Sequence, residues 1–226
     1  MEELSGVIVF KHNSIRINRG KVIYIDPFNI DLAAHDADIV LCTHSHYDHF
    51  SPKDILAVSN ESTVLFTTED CRADVEKMGF SEASVHYVKP GEEYDFEGIY
   101  ISTIPAYNKF KPFHPKKNNW VGYLITAQEV AYYVAGDTDK TKEALAVECD
   151  VAFLPVGGTY TMDYNQAASL CYKIKPKCAI PTHYGLIVGE QTDGASFKKI
   201  LENEDIQVEL YFWQINTICA KIIINL

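Results

Sequence analysis

Short runs rich in β-branched residues open the chain: positions 6–10, 14–17 and 21–26, separated by His12-Asn13 and Asn18-Arg19-Gly20. This pattern predicts a meander with Asn-Arg-Gly as a hairpin turn, ended by Pro27, which cannot continue a central strand. A buried strand is predicted over 37–42. Ser51-Pro52 then reads as a helix N-cap followed by proline at the first helical position, opening a helix to about residue 58. A strand at 63–66, a helix capped by Thr67 or Thr68 and stopped by Gly79, and a strand at 85–88 follow. After the Pro90-Gly91 turn come strands at 99–104, 120–126 and 130–135, the last two joined at Ala127-Gln128-Glu129. The second half alternates more regularly. Helices are predicted from Asp139 to about 147, from Asp163 to about 174, and over 192–202; strands are predicted at 151–154, 178–181, 207–211 and 217–224. No repeat or linker divides the chain, so a single domain over 1–226 is expected. Residues 105–119 form a long irregular stretch, and such loops are usually functional or mobile. The pattern alone supports a mixed α/β fold.

Composition narrows the function classes. At 226 residues, 47% of them hydrophobic and 23% charged, the chain has the make-up of a soluble globular protein. Its net charge is −11 and only Arg16, Arg19 and Arg72 are arginines, a balance that repels phosphate backbones. The six cysteines form no Cys-x-x-Cys pair and several lie in apolar runs, which suggests reduced thiols and a cytoplasmic location. The acidic N-terminus lacks a signal-like apolar region, and no run approaches transmembrane length.

The chemistry concentrates in Cys42-Thr43-His44-Ser45-His46-Tyr47-Asp48-His49-Phe50. Neutral imidazoles and a carboxylate are ligands that suit zinc, manganese or iron. On an extended backbone His44 and His46 project from the same side, and the chain must then turn to bring Asp48 and His49 to the same region. Four ligands from one turn exceed what a single ion usually takes from so short a segment. Two adjacent ions would use them all.

Two later strands end in a similar way. Gly136-Asp137-Thr138-Asp139 follows the strand at 130–135, and Asp137 is the candidate carboxylate between two ions, with Asp139 a helix cap. Thr182-His183 follows the strand at 178–181 and places His183 as a ligand of the second ion. A further histidine is needed for the first ion. His86 alternates within a strand and is expected to face solvent, whereas His114 on the long loop is better placed to reach inward. His12 and His35 read as surface or turn histidines.

The His-x-His-x-Asp-His cluster resembles the signature of the metallo-β-lactamase superfamily. The resemblance extends over nearly the whole chain, through Tyr24-Ile25-Asp26-Pro27, Pro105-Ala106-Tyr107-Asn108, Val121-Gly122-Tyr123, Gly136-Asp137-Thr138-Asp139, the segment from Leu154 to Tyr160, and Pro181-Thr182-His183-Tyr184-Gly185. Within that superfamily the chain is similar to the compact subgroup around L-ascorbate 6-phosphate lactonase. The resemblance implies a four-layer αβ/βα sandwich and metal binding by His44, His46, Asp48, His49, Asp137, His183 and one more histidine. Many relatives carry that histidine just after the strand ending near Pro105. This chain has Tyr107-Asn108 there, so His114 must take the role from the following loop.

The expected activity is hydrolysis of a lactone, ester or phosphodiester in a small molecule by a metal-activated water, with Asp48 as proton acceptor. Two divalent ions are expected, zinc ahead of manganese or iron. Asp26 is placed to orient a ligand histidine, with an Asp-Pro turn as the equally weighted structural reading. Tyr107, Asn108 and Tyr160 are candidates for substrate contact. Lys109, Lys111, Lys116 and Lys117 surround His114 and could form a rim that favours an anionic substrate. A nuclease of the same fold and a catalytically idle metal-binding protein are the rival readings. The expected partner is a small molecule, with a homo-oligomer left open and neither nucleic acid nor membrane expected.

Overall fold

Ile15, Ile17, Ile23 and Ile25 are fully buried at alternating positions, so the opening segments pair with one face turned inward. They form β1 (Val7–Val9), β2 (Ile15–Arg19) and β3 (Lys21–Ile25), antiparallel in sequence. In the computed structural model, which describes residues 2–211, three further strands extend this sheet in parallel: β4 (Ala37–Leu41), β5 (Ser59–Thr68) and β6 (Val85–Val88). Parallel neighbours need crossovers. Two of these carry helices α1 (Pro52–Val58) and α2 (Arg72–Met78), the latter stopped by Gly79 at φ 81°.

The second sheet, seven strands among the described residues, begins with the antiparallel set β7 (Glu93–Phe96), β8 (Ile99–Pro105), β9 (Val121–Ala127) and β10 (Val130–Val134). It continues in parallel with β11 (Val151–Pro155), β12 (Cys178–Thr182) and β13 (Gln207–Val208). Helices α3 (Tyr164–Ile174) and α4 (Asp193–Leu201) complete the set. A capping box starts α3: the Asp163 carboxylate accepts from the Gln166 amide at 2.8 Å, and the Gln166 side chain accepts from the Asp163 amide at 3.2 Å.

The layers follow from which apolar faces meet. Ile17, Ile25, Leu41 and Phe66 of the first sheet pack against Tyr123, Ile125, Val134 and Phe153 of the second. The outer face of the first sheet, with Tyr24, Val40 and Leu65, packs on Ile55, Val58 and Val75 of α1 and α2. Ala152, Leu154 and Ala179 on the other outer face pack on Leu170, Phe197 and Leu201 of α3 and α4. The result is an αβ/βα sandwich, with the C-terminal ends of β3, β4, β10 and β12 delivering polar residues to one shared edge.

Several sequence expectations change. The pattern does not predict edge strand β7, because its alternation puts Glu93 and Asp95 on the exposed side and offers no continuous apolar run. The helix expected from Asp139 is only a single turn at Ala144–Ala146. Asp139 does not cap it, because its carboxylate accepts instead from the amide of Lys109 and the side chains of Asn108 and Lys111. β5 is longer than expected and β13 shorter, while the strand expected at 217–224 lies outside the described residues. The five cysteines within the described range are free thiols. Among the described residues no helix is long and apolar enough to cross a membrane.

Candidate metal centre

Beyond β4 the chain is held by Asp26 at the end of β3, whose Oδ1 accepts from the Thr43 amide at 2.8 Å. It then folds into a tight turn in which the amides of His49 and Phe50 both donate to the carbonyl of His46, at 2.9 and 2.8 Å. This turn solves the geometric problem posed by the sequence. His44, Asp48 and His49 become buried, and His46 half-buried, around one point.

Three side chains from distant positions meet them. Gly136, at φ 62°, lets the chain leave β10 tightly; a Cβ there would lie 3.2 Å from the Thr43 side chain and 3.1 Å from the Val121 carbonyl. Asp137 follows and lies between the histidines: Oδ1 is 3.2 Å from His49 Nε2, and Oδ2 is 3.1 Å from both His114 Nε2 and His183 Nε2. His49 Nε2 and His183 Nε2 each lie 3.6 Å from Asp48 Oδ2. Two groups result, His44, His46, His114 and Asp137 in one and His12, Asp48, His49 and His183 in the other. Within each, one ligand atom per residue lies within 4.8 Å of all the others.

Whether this set fits metal ions can be judged from its unmet polar atoms. The buried Nε2 atoms of His49, His114 and His183, and Asp137 Oδ1, have no hydrogen-bond partner. Each such atom would cost about 1–3 kcal/mol if left unsatisfied. Lone pairs from several directions facing one another at 3.1–3.6 Å are what divalent cations satisfy at their usual ligand distances. The donor set fits metal. His44, His46, His114 and Asp137 could hold one ion; Asp48, His49 and His183, with Asp137 shared, could hold a second.

Electrostatics agrees with a site built for cations. Burial pushes the Asp137 carboxyl up, but His183 and His49 outweigh it and hold it well below the usual range. Asp48 is likewise held low, by His12 and His183 against its burial. Burial pushes His44 and His46 down, with His49 chief among the neighbours of the first and His114 of the second. His49 and His183 are raised despite burial, because Asp137 faces both.

His12 corrects the sequence reading. Far from being a surface histidine, it is fully buried, and its Nε2 donates to Asp48 Oδ2 at 3.0 Å. Nothing in Lys11-His12-Asn13 signals this, since the contacts come from the turn after β4, through Asp48, and from the end of β12, through His183. His86 also differs from expectation: it is half-buried and stacks on Phe66 at 4.6 Å between ring centroids. His35 is exposed, as its turn position implied.

Supporting residues surround the candidate ligands. Asp26 is fully buried and accepts from His49 Nδ1 at 2.6 Å, Asn13 Nδ2 at 2.7 Å and Thr43 Oγ1 at 2.8 Å. Its carboxylate fixes which His49 nitrogen faces the centre. Trp120, which no sequence pattern marks, forms a wall beside the first group, 4.8 Å from the rings of His44 and His46 and 5.5 Å from that of His114. Its indole N–H donates to Asp70 at 2.8 Å.

Two of the three candidate substrate contacts also bond within the protein. Asn108 Oδ1 lies 3.1 Å from His114 Nδ1, and its amide donates to the Tyr160 carbonyl at 2.9 Å, so Asn108 positions His114. Tyr107 donates to Glu143 at 2.9 Å and lies under Lys116. Only the Tyr160 ring, edge-on to Phe113 at 4.8 Å, stays free of such a task. The lysine rim is also partly neutralised. Lys111 pairs with Asp139 and Lys116 with Glu143, each at 2.9 Å, leaving Lys109 and Lys117 exposed.

Two expected outcomes follow from this anchoring. Burial opposes ionisation of Glu143, but Lys116 outweighs it and lowers the carboxyl from 4.5 to about 2. The stabilisation is present above pH 4.5 and fades as pH falls toward 2, and Glu143→Gln should flatten that part of the stability profile in denaturant titrations. At Gly157 a Cβ would come within 2.3 Å of the His183 carbonyl. Gly157→Ala should therefore displace the His183 loop and lower stability by about 1–3 kcal/mol, read from the denaturation midpoint.

Residues 7–183 match the Beta-lactamase superfamily domain, a span holding every side chain of both groups. The chain belongs to that superfamily. The UPF0173 metal-dependent hydrolase of Saccharolobus solfataricus is 31% identical to it over 186 residues, 80% of each chain. That of Pyrococcus horikoshii is 29% identical over 210 residues, 84% of this chain and 89% of the relative. A solved structure from Parabacteroides distasonis, of a protein assigned as a metal-dependent hydrolase, has a TM-score of 0.77 at 29% identity. It covers 92% of this chain and 93% of the other. This beta-lactamase superfamily member is a metal-dependent hydrolase, and the two side-chain groups could hold a metal ion.

Proposed function

We propose that this hydrolase holds two divalent ions, zinc ahead of manganese or iron, and cleaves a lactone, ester or phosphodiester in a small molecule. The observation that carries this reading is Asp137, with one oxygen toward His49 and the other toward His114 and His183. Bound ions would supply a water activated near neutral pH and would stabilise developing negative charge. In this reading Asp48 takes the proton from the attacking water. Its Oδ2 is held by His12, and its Oδ1 accepts no side-chain hydrogen bond among the described residues. Asp26 keeps His49 in one orientation, and Asn108 does the same for His114.

Exposed Lys109 and Lys117 favour an anionic group on the substrate, in keeping with the likeness to L-ascorbate 6-phosphate lactonase. A net charge of −11 weighs against a nucleic-acid substrate. Aromatic residues on the ligand-bearing loops add an apolar element. Tyr47 follows His46 and packs edge-on to Phe28 at 6.0 Å, while Phe113 precedes His114 and meets Tyr160. Tyr47 and Phe113 are exposed. Replacing both by alanine should raise KM about tenfold with little change in kcat, the mark of lost uniform binding.

The test is metal content of the protein purified without added metal, beside His46→Ala and Asp137→Ala. About two equivalents in the parent, lost or halved in both variants, is the expected result for a two-ion site. One equivalent unaffected by Asp137→Ala would remove the shared carboxylate. No metal under any loading condition would sink the reading.

A further inference from the structure

We infer that His12, on the turn between β1 and β2, is a positioning residue of the metal centre that holds Asp48 and His183 in place. The inference rests on the two-ion reading above. His12 is fully buried although it lies in a turn, with φ 62° in the left-handed region that few non-glycine residues adopt. Its contacts account for that conformation. Nε2 meets Asp48 Oδ2 at 3.0 Å, the His12 carbonyl accepts from the His183 amide at 3.0 Å, and the rings of His12 and His183 lie 3.7 Å apart. His183 itself sits at φ 56°. The two strained residues, far apart in sequence, thus brace each other.

The same turn continues the support. Asn13 donates to Asp26 at 2.7 Å, and Asp26 in turn orients His49. Consecutive residues of one hairpin therefore reach Asp48, His183 and, through Asp26, His49. An ionised carboxylate can only accept, so the His12 proton sits on Nε2 and points at Asp48. Ligation by that nitrogen is the competing role. Asp48, His49, His183 and Asp137 already offer four side chains to the second ion, and a hydrolytic site needs a position left for water. Another side-chain ligand would work against that. A donor to Asp48 fixes the carboxylate without occupying the position.

The experiment compares His12→Ala, His12→Asn and His12→Gln with the parent, by zinc titration of apoprotein against a chromogenic chelator and by the absorption spectrum of the cobalt(II) form. Glutamine can place an amide N–H near the position of Nε2, whereas asparagine tolerates the backbone but is too short. Alanine and asparagine should keep about two equivalents at saturating zinc, with the weaker one loosened about 10–100-fold. Glutamine should recover most of that affinity and a parent-like cobalt spectrum. If alanine does not fold, judged by circular dichroism, the glutamine–asparagine comparison decides. Unchanged affinity in every variant would overturn the inference. So would permanent loss of one equivalent in all variants, glutamine included, which would make His12 a ligand. Glutamine as weak as asparagine would reduce the role to ring packing and overturn it too. A parent that binds no metal would instead defeat the two-ion reading itself.

Discussion

Asp137→Asn is expected to lower turnover on the order of a thousandfold, the scale reached when a preorganised transition-state charge is removed. Metal content should fall from about two equivalents toward one. The reason lies in position rather than in charge alone. Asp137 is almost fully buried and faces three histidine nitrogens at 3.1–3.2 Å, drawn from two separate ligand groups. Asparagine keeps the volume but removes the negative charge, and its amide can offer only one oxygen. One group would then lose its carboxylate, or both would share a neutral acceptor. The measurement is zinc content after dialysis, alongside hydrolysis of a chromogenic phosphodiester and a chromogenic lactone. Full metal content in the variant would show that Asp137 is not shared.

Asp26→Ala should destabilise the protein by about 3–5 kcal/mol, the usual result of stranding one side of a buried charged network. Such a loss is a large part of a typical total stability of about 5–15 kcal/mol. Asp26 has no solvent exposure and accepts from the Thr43 amide and hydroxyl, the Asn13 amide and His49 Nδ1. Alanine removes this acceptor from all four donors, of which the Thr43 hydroxyl has another nearby, His44 Nδ1 at 3.0 Å. Asparagine is no gentle substitute, because its Nδ2 would oppose donors. Asp26→Asn should fold more readily than alanine yet bind the second metal equivalent about 10–100-fold more weakly, since His49 loses its orienting partner. Denaturant midpoints with and without zinc, followed by chelator competition, separate the two effects. Equal stability in the alanine variant would refute the account of this network.

The parts of the centre that could be read from the sequence are those written locally. His44, His46, Asp48 and His49 lie within one short segment after an apolar strand, so the strand and the turn alone bring them together. Asp137 and His183 could be located because each follows a buried strand. His114 could be named only by comparison with His86, because a long loop gives no direction to its side chains. The structure supplies that direction through Asn108 and the Tyr160 carbonyl.

Sequence and structure diverge where a residue has a local role available and a tertiary one prevails. Asp139 has the look of a helix cap, but the 105–119 loop reaches its carboxylate with three donors. Lys111 and Lys116 look like a solvated or substrate-attracting run, yet each finds a carboxylate on a neighbouring segment. His12 resembles any histidine in a hairpin turn. Its burial depends on residues far away in sequence, Asp48 and His49 after β4 and His183 after β12, packing against it.

The α/β character of the chain and the contiguous histidine and aspartate cluster are legible in the sequence, because hydrophobic period, turn residues and close spacing act over a few residues. Tertiary structure alone decided the rest. It put Asp137 between the two groups, brought His12 and Trp120 to the histidine cluster and paired half of the lysine rim with carboxylates. Those outcomes depend on which strand ends share an edge after the two sheets have packed, and burial then forces every polar atom there to find a partner.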